Sequence, residues 1–370
     1  MRVLIVGQFL GTGGAEQSLI PLAKELHSAG YELSLILLKP PVIDFVFSNF
    51  PGTVLAPKDA SPWQQFQTLL QLNRAIANAD VVVATSELSP TYITWLLSLW
   101  HHKPLVADVQ VCLSRWISGS SKSIHHYLSR WVYPHISYIR CVSKGVAQDL
   151  QLNYGVPIKN LSVIYVSFEL DKIARAAQSP IPAINNHIFS RPTIVAAGRL
   201  TSQKRFDIAI ESFLCLRQDY KIDAHLLILG DGELRPQLEQ QVQDLGLTNQ
   251  VFLPGFVENP YAYFNCSKVF LLSSDYEGFG RVLLEALAVG CPAVSTDCPF
   301  GPHEILEGGK SGLLTPMANP KAIAHALAQL LTNSELAQKL REAGLQRAKA
   351  FDTQTTARQY QTLLNQALEH

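Results

Sequence analysis

The chain has 370 residues, with 30 Lys plus Arg against 30 Asp plus Glu and a formal net charge of +0. Charged residues make up 16% and hydrophobic residues 47%. A chain this apolar is not intrinsically disordered, and its balanced charge excludes a globally basic nucleic-acid binder.

Taken in chain order, the first apolar run, Val3–Val6, reads as a buried strand. It is too short for the core of a signal peptide, so no targeting segment is expected. A helical pattern over Glu16–Ala29 ends at Gly30, a C-cap glycine. Further strands are predicted at Leu33–Leu38, Val81–Ala84, Leu105–Ala107 and Tyr138–Val142, with a helix over Gln64–Ala79. These runs are rich in Val, Ile or Leu on both faces, as parallel strands covered on both sides are. Residues 171–192 contain three prolines and little periodicity, which predicts a linker. The alternation then restarts. Strands are predicted at Ile194–Ala197, Leu226–Leu229, Val251–Leu253, Val269–Leu272 and Ala293–Ser295. Helical patterns cover Asp207–Arg217 and Glu233–Leu245. A last one, Thr355–Leu368, closes the chain.

The expected fold is therefore α/β, with two doubly wound Rossmann-like domains and a ligand cleft between them. The predicted boundaries are 1–170 for the first domain, 171–192 for the linker and 193–350 for the second domain. A C-terminal helix over 351–370 is expected to cross back to the first. The apolar stretch Ile93–Trp100 stops at His101-His102-Lys103, short of the ~20 residues a membrane span needs. Six Cys without a C-x-x-C pair fit a reducing compartment and neither a disulfide framework nor a zinc site.

Three segments carry chemistry. Gly11-Thr12-Gly13-Gly14-Ala15-Glu16 joins the first strand to the first helix, where backbone N–H groups can face an anion. A tight turn would use the same glycines. Gly198-Arg199-Leu200 with Gln203-Lys204-Arg205 gathers cations at the carboxyl end of a strand. It reads equally as a diphosphate clamp or a solvated loop. Glu277-Gly278-Phe279-Gly280-Arg281-Val282-Leu283-Leu284-Glu285 runs from a strand through a glycine turn into a helix. Glu277 and Glu285 can accept hydrogen bonds from hydroxyls, or else support the helix start and solvate its face.

Glu277 and Glu285 form an E-x7-E pattern, and with it the chain resembles the retaining glycosyltransferases of family 4, which have the GT-B fold. The glycine loop at 11–16 resembles the family's N-terminal loop. Ser143-Lys144-Gly145-Val146-Ala147, Tyr154-Gly155-Val156-Pro157, Gly230-Asp231-Gly232 and Gly255-Phe256-Val257 follow in the family's order. Asp297–Leu306 resembles a subgroup that elongates bacterial surface polysaccharides and lipid-linked oligosaccharides. The resemblance implies that Arg199 and Lys204 bind the donor diphosphate and that Glu277 holds hydroxyls of the donor sugar. These three would be catalytic. Glu285 would hold the ribose. Phe279, Gly280, Arg281, Val282 and Leu283 would contact sugar and phosphate through their amides. Gly13 and Gly14 would let diphosphate and acceptor approach. Gly255, Phe256 and Val257 would lie along the nucleobase. No metal and no cofactor is implied, the nucleotide sugar being a substrate.

Three positions depart from the family. Gln110 or Val109 stands where many relatives carry a sugar-binding His, and a Gln hydrogen-bonds but carries no proton. The stretch Ile164–Glu169 lacks an Asn common there. Arg281 replaces a residue that is often small, which points to an acidic donor or an added phosphate, or else to a solvated helix position.

The implied activity is a retaining, metal-independent transfer of a hexose or N-acetylhexosamine from a nucleotide sugar, a UDP-sugar, in surface polysaccharide biosynthesis. The acceptor would be a saccharide or a polyprenyl-diphosphate-linked sugar. Two alternatives stand beside it: a nucleotide-sugar isomerase such as a UDP-N-acetylglucosamine 2-epimerase, and a weakly active binding subunit of a polysaccharide assembly complex. The expected location is cytoplasmic, at the inner face of the plasma membrane. Residues 101–145 carry Lys103, Arg115, Lys122, Arg130, Arg140 and Lys144 against a single acid, Asp108, among Trp116, Tyr127, Trp131 and Tyr133. Basic residues interleaved with aromatics fit contact with an anionic membrane, if the Trp side chains are not core. No nucleic-acid recognition motif accompanies them.

Overall fold

A computed structural model gives the structure, and it describes residues 1–8, 14–40, 49–117 and 123–369. The chain forms two compact units. The first comprises Met1–Phe168 together with the segment from Phe351 onward, and the second is Glu169–Ala350.

The first unit is built on a seven-stranded sheet. Its strands are β1 (Arg2–Gly7), β2 (Glu32–Leu37), β3 (Thr53–Leu55), β4 (Val81–Ala84), β5 (Leu105–Val109), β6 (Tyr138–Cys141) and β7 (Leu161–Val163). Their order is β3-β2-β1-β4-β5-β6-β7, and the pairings are parallel. Val81 to Ala84 are all buried, so the apolar runs in the sequence are strands covered on both faces. Side chains in the sequence fix where helices start. Ser143 Oγ accepts the N–H of Val146 at 3.1 Å and opens the helix Lys144–Tyr154. Gly155, at φ 69, closes it.

The second unit has a six-stranded sheet of β8 (Thr193–Ala197), β9 (His225–Leu229), β10 (Val251–Gly255), β11 (Val269–Leu272), β12 (Ala293–Thr296) and β13 (Leu313–Thr315). The order is β10-β9-β8-β11-β12-β13, again parallel. Both sheets follow the doubly wound order. Each therefore reverses direction once, beside β1 and β4 in the first unit and beside β8 and β11 in the second. At such a reversal the loops after two neighbouring strands diverge and leave a crevice at the strand carboxyl ends.

The segment 171–192 is not a free linker. Leu170–Ala177 is a helix of the second unit. Asn259 Nδ2 donates to Ala176 O at 2.8 Å and Asn265 Nδ2 to Ala177 O at 3.2 Å, fastening its end. Ile188 is buried, and its carbonyl lies 2.7 Å from His225 Nδ1. The prolines end short helical turns here and do not mark an independent connection.

After the second unit the chain returns to the first. Phe168 donates its N–H to Phe351 O at 3.1 Å. The helix Thr353–Leu368 then buries Tyr360, Leu363, Leu364 and Ala367 in the core that holds Val3, Ile5 and Val83. Beneath this helix a cavity of ≈ 60 Å³ is lined by Asp108, Gln110, Arg140, Ser167 and Tyr360, among others. Its floor is charged. Asp108 on β5 and Arg140 on β6 are cross-strand partners, with Nη1 to Oδ1 at 2.6 Å and both side chains 6% exposed. Arg140 also donates from Nε to Ile164 O at 2.6 Å and from Nη2 to Tyr165 O at 2.9 Å. Burial pushes the Asp108 carboxyl up, and the Arg140 guanidinium opposes that push. A buried pair is costly to break because one charge is left uncompensated. Arg140→Met should lower the stability of the chain by about 3–5 kcal/mol, while Arg140→Met combined with Asp108→Leu should recover most of that loss. Urea unfolding of the single and double variants checks both outcomes.

Candidate functional site

The reversal beside β8 and β11 brings predicted site residues together. After β8 the chain passes Gly198 and Arg199 and turns through Ser202–Lys204. After β11 it passes Ser273 to Gly280 before the helix Arg281–Ala288. The two loops are joined by several bonds. Ser273 Oγ donates to Lys204 O at 2.8 Å, Gln203 Nε2 to Tyr276 O at 2.8 Å, and Asp275 N to Gln203 O at 2.9 Å. Arg205 ties Asp207, in the first turn of the helix Phe206–Tyr220, to Asp275 on the other loop.

Within this frame Lys204 Nζ donates to Glu277 Oε1 at 2.6 Å. Ser274 Oγ donates to the same oxygen at 2.7 Å. The Lys204 side chain is 17% exposed and the Glu277 side chain 7%. Glu277 is therefore a buried carboxylate with one oxygen held by a cation and a hydroxyl. Its other oxygen, Oε2, has no hydrogen-bond partner among the described residues. An ammonium has three N–H donors, so Lys204 keeps two beyond the one that Glu277 takes. Arg199 is exposed, and its side chain makes no hydrogen bond or ion pair among the described residues.

Gly280 makes the turn into the helix at φ 92, a conformation that side chains with a Cβ rarely adopt. The helix opens at Arg281, where the Leu283 N–H turns back to Gly280 O at 2.9 Å, and the dipole of this end favours negative charge. Phe279 and Leu283 are buried beside this start, and Val282 is half-buried. Arg281 is not a solvated helix position. Its Nε donates to Glu285 Oε1 at 2.8 Å, one turn on. Glu285 is likewise not solvated, being 7% exposed. Burial pushes its carboxyl up and Arg281 draws it back. Tyr261 stands close by. Burial pushes its hydroxyl up to about 12, with the charge of Glu285 adding to the effect.

The third strand end is less tightly joined. Gly255 closes β10, and its carbonyl accepts the N–H of Gly230 at 2.8 Å. A Cβ on Gly230 would overlap the carbonyl of Gly198, so the ends of β8, β9 and β10 approach only as bare backbone. Phe256 beyond them is 69% exposed and Val257 half-buried. Neither touches Lys204 or Glu277 in any described hydrogen bond or ring contact.

In the first unit, Gly14 opens the helix Gly14–Ser28, and Gly13 lies outside the described residues. Gln110 follows β5. Its backbone N–H donates to Glu87 Oε1 at 2.7 Å, and its side-chain amide donates to Asp108 Oδ2 at 3.4 Å. Neither Glu87 nor Ser274 stands out in the sequence as a site residue. The only signal for each was a polar residue just past an apolar strand. Among the described residues no three His, Cys, Asp or Glu side chains come together as a metal would require.

Residues 12–172 match the family described as "Glycosyltransferase Family 4", and residues 179–347 match "Glycosyl transferases group 1". A similar protein from Campylobacter jejuni subsp. jejuni is N-acetylgalactosamine-N,N'-diacetylbacillosaminyl-diphospho-undecaprenol 4-alpha-N-acetylgalactosaminyltransferase. It is 28% identical over 366 residues, which is 94% of this chain and 95% of that protein. The poly(glycerol-phosphate) alpha-glucosyltransferase of Bacillus subtilis is 28% identical over 188 residues, covering 51% of this chain and 28% of the other. Among solved structures, Anabaena HepE in complex with UDP-glucose shares the fold at a TM-score of 0.85, with 19% identity over 99% of this chain and 100% of that one.

The Lys204–Glu277 pair carries a stability consequence. Lys204→Met leaves a buried carboxylate with only Ser274 as donor and should cost about 3 kcal/mol. Adding Glu277→Gln should restore much of it, giving a coupling of about 1–3 kcal/mol in a double-mutant cycle read by urea unfolding.

Proposed function

This chain belongs to glycosyltransferase family 4, with the GT-B fold, and we propose that it moves a hexose or N-acetylhexosamine from a UDP-sugar to a saccharide or polyprenyl-diphosphate-linked acceptor. The product would serve surface-polymer synthesis. The observation that carries the reading is the Lys204–Glu277 contact at the β8/β11 reversal. One side chain supplies positive charge for a diphosphate, and the other keeps an oxygen for sugar hydroxyls. The names of the relatives support the acceptor class, since one acts on a diphospho-undecaprenol substrate and another on poly(glycerol phosphate). The solved complex of HepE with UDP-glucose supports the donor class.

The mechanism follows from charge. As the glycosidic bond lengthens, negative charge grows on the leaving diphosphate. The N–H groups left on Lys204 and the positive end of the helix that starts at Arg281 are fixed sources of positive potential for that charge, and the exposed Arg199 guanidinium adds a mobile one. Donors already oriented stabilise it without reorganising. Glu277 Oε2 accepts a hydroxyl of the donor sugar and fixes its orientation. Glu285, held through Oε1 by Arg281, presents its remaining oxygen to the ribose hydroxyls. Arg281 then serves to hold Glu285 and does not select an acidic donor. The Gly255–Val257 segment lies along the base, with Phe256 offering an aromatic face. Gly13, Gly14 and Gln110 act in acceptor and sugar recognition from the first unit. The acceptor hydroxyl attacks the anomeric carbon on the face from which the diphosphate departs and gives its proton to that leaving phosphate, so the sugar keeps its anomeric configuration; the charge is met by these cations in a metal-independent reaction.

The aromatic, basic stretch 101–145 is proposed as a face for anionic membrane. Trp116, Ile124, Tyr127 and Trp131 are exposed, which excludes a core role for those two Trp residues. Arg140 is removed from this face by its pairing with Asp108, and Lys122 lies outside the described residues. Arg130 remains at the surface, donating to Asn153 O at 3.0 Å.

Incubation with a panel of nucleotide sugars and lipid-linked or saccharide acceptors should release UDP only when an acceptor is present. That release should persist in EDTA, and the product should show the donor's anomeric configuration by NMR. Sugar interconversion without acceptor would refute the reading. Glu277→Gln should lower kcat by about 10²-fold or more while the chain stays folded, and full activity in that variant would remove the assignment. For the membrane face, Tyr127→Ala with Trp131→Ala and Arg130→Gln should reduce co-sedimentation with phosphatidylserine vesicles several-fold. Unchanged co-sedimentation would count against it.

A further inference from the structure

Glu87 belongs to no motif, yet the structure places it at the reversal of the first sheet. It follows β4, whose neighbours are β1 and β5. The loop there is held closely. Gln8 N donates to Ser86 Oγ at 2.9 Å, and Thr91 Oγ1 donates to Ser86 O at 2.7 Å. Leu88 next to it stands at φ 62, a left-handed conformation that a residue with a branched side chain keeps only where its surroundings impose it. Such a loop turns the half-buried Glu87 carboxylate toward the loop after β5. Oε1 accepts the Gln110 N–H at 2.7 Å, and the backbone N–H of Val111 also favours the ionised form.

We propose that Glu87 is a positioning residue for ligand recognition by the first unit, its carboxylate clamping the loop after β5 and so fixing the direction in which Gln110 reaches its ligand. The clamp has two ends. Glu87 holds the Gln110 backbone, and Asp108 receives the Gln110 side-chain amide at 3.4 Å. Asp108 is in turn locked to Arg140 at 2.6 Å. Arg140, Asp108, Gln110 and Glu87 thus form one chain of contacts from β6 to the end of β4. Gln110 is neutral, so any proton-dependence of its binding must come from a neighbour. Burial pushes the Glu87 carboxyl up to about 7 against the pull of the backbone N–H groups. The groups facing it are Asp108 from β5, whose charge adds to the upward push, and the buried Tyr133 hydroxyl. Arg140 is engaged by Asp108 and lies behind it. On protonation an acceptor-only carboxylate becomes partly a donor, and its hold on the amides weakens. The sign follows. The clamp is complete above about pH 7 and loosens below it.

The proposal deepens the functional reading above, since it takes Gln110 to be a ligand contact, and the test separates the two. In the full chain labelled with ¹⁵N-glutamine, the backbone signal of Gln110, identified by its loss in Gln110→Asn, should titrate with a midpoint near pH 7. A Gln110 signal that does not move over that range overturns the clamp, whatever the enzyme transfers. For transfer from a UDP-sugar, kcat/KM in the wild type should fall as pH drops through the same midpoint, and Glu87→Gln should lack that limb. Glu87→Gln should also raise KM for the donor or acceptor by roughly tenfold, with kcat less affected. A Glu87→Gln profile that keeps the acid limb overturns the positioning role. Absence of transfer with every nucleotide sugar, beside a titrating Gln110 signal, would reject the functional reading and leave the clamp standing. Should Glu87→Gln fail to fold, the wild-type titration alone decides.

Discussion

A strand buried on both faces has no water for its backbone, so every N–H and C=O must be satisfied by a neighbouring strand. When the strands are parallel, each pair needs a crossover long enough to return the chain to the same edge. Those two demands shape both units here. They leave all the loops that follow strands along one edge of each sheet, and the doubly wound order opens a crevice at one point on that edge. The residues of interest sit within a few positions of a strand end: Glu87 after β4, Gln110 after β5, Arg199 and Lys204 after β8, Phe256 after β10 and Glu277 after β11. The chemistry is local to strand ends because only there does backbone leave the sheet with its direction fixed.

Charge is handled by pairing in place. Asp108 with Arg140, Glu277 with Lys204 and Glu285 with Arg281 are three acid–base pairs with little exposure. In low dielectric a lone charge is costly, and a paired one is tolerable when its remaining lone pairs and protons find partners. The first pair is fully engaged, through the carbonyls of Ile164 and Tyr165. Glu277 keeps an oxygen and Lys204 keeps N–H groups with no described partner. That difference separates a pair with its bonding complete from one with capacity left over. The zero net charge of the sequence is in part the sum of such internal pairs, which is why it said little about surfaces.

The long central strands were legible because their signal is composition alone. Val81–Ala84 and Val269–Leu272 are apolar throughout and were read with their observed ends. The three-residue edge strands β3, β7 and β13 were missed, since half-exposed edges carry mixed residues and no run. Residues 171–192 were misread because proline density marks both linkers and the ends of short helical turns. In the site, Glu277 and Lys204 were legible as members of motifs, but their contact was not. It joins residues 73 apart and depends on β8 and β11 being neighbours. Arg281 showed the limit of reading positions singly, as its partner is the residue one turn on. Glu87 carried only the weak signal of a polar residue past an apolar strand, because its partner is a backbone N–H on another loop.

The chain leaves the first unit at Phe168 and re-enters it at Phe351, two residues that share a hydrogen bond. The second unit is thus an insertion whose ends are pinned together, and the first is a discontinuous fold. During synthesis the N-terminal sheet must wait, without the helix that carries Tyr360, Leu363 and Leu364, until the whole insertion has emerged. For that interval the apolar surface around Val3, Ile5 and Val83 is uncovered, and the second unit, continuous in sequence, is the part that can mature alone. The order of assembly is therefore opposite to the order of translation: the domain made first is the domain finished last.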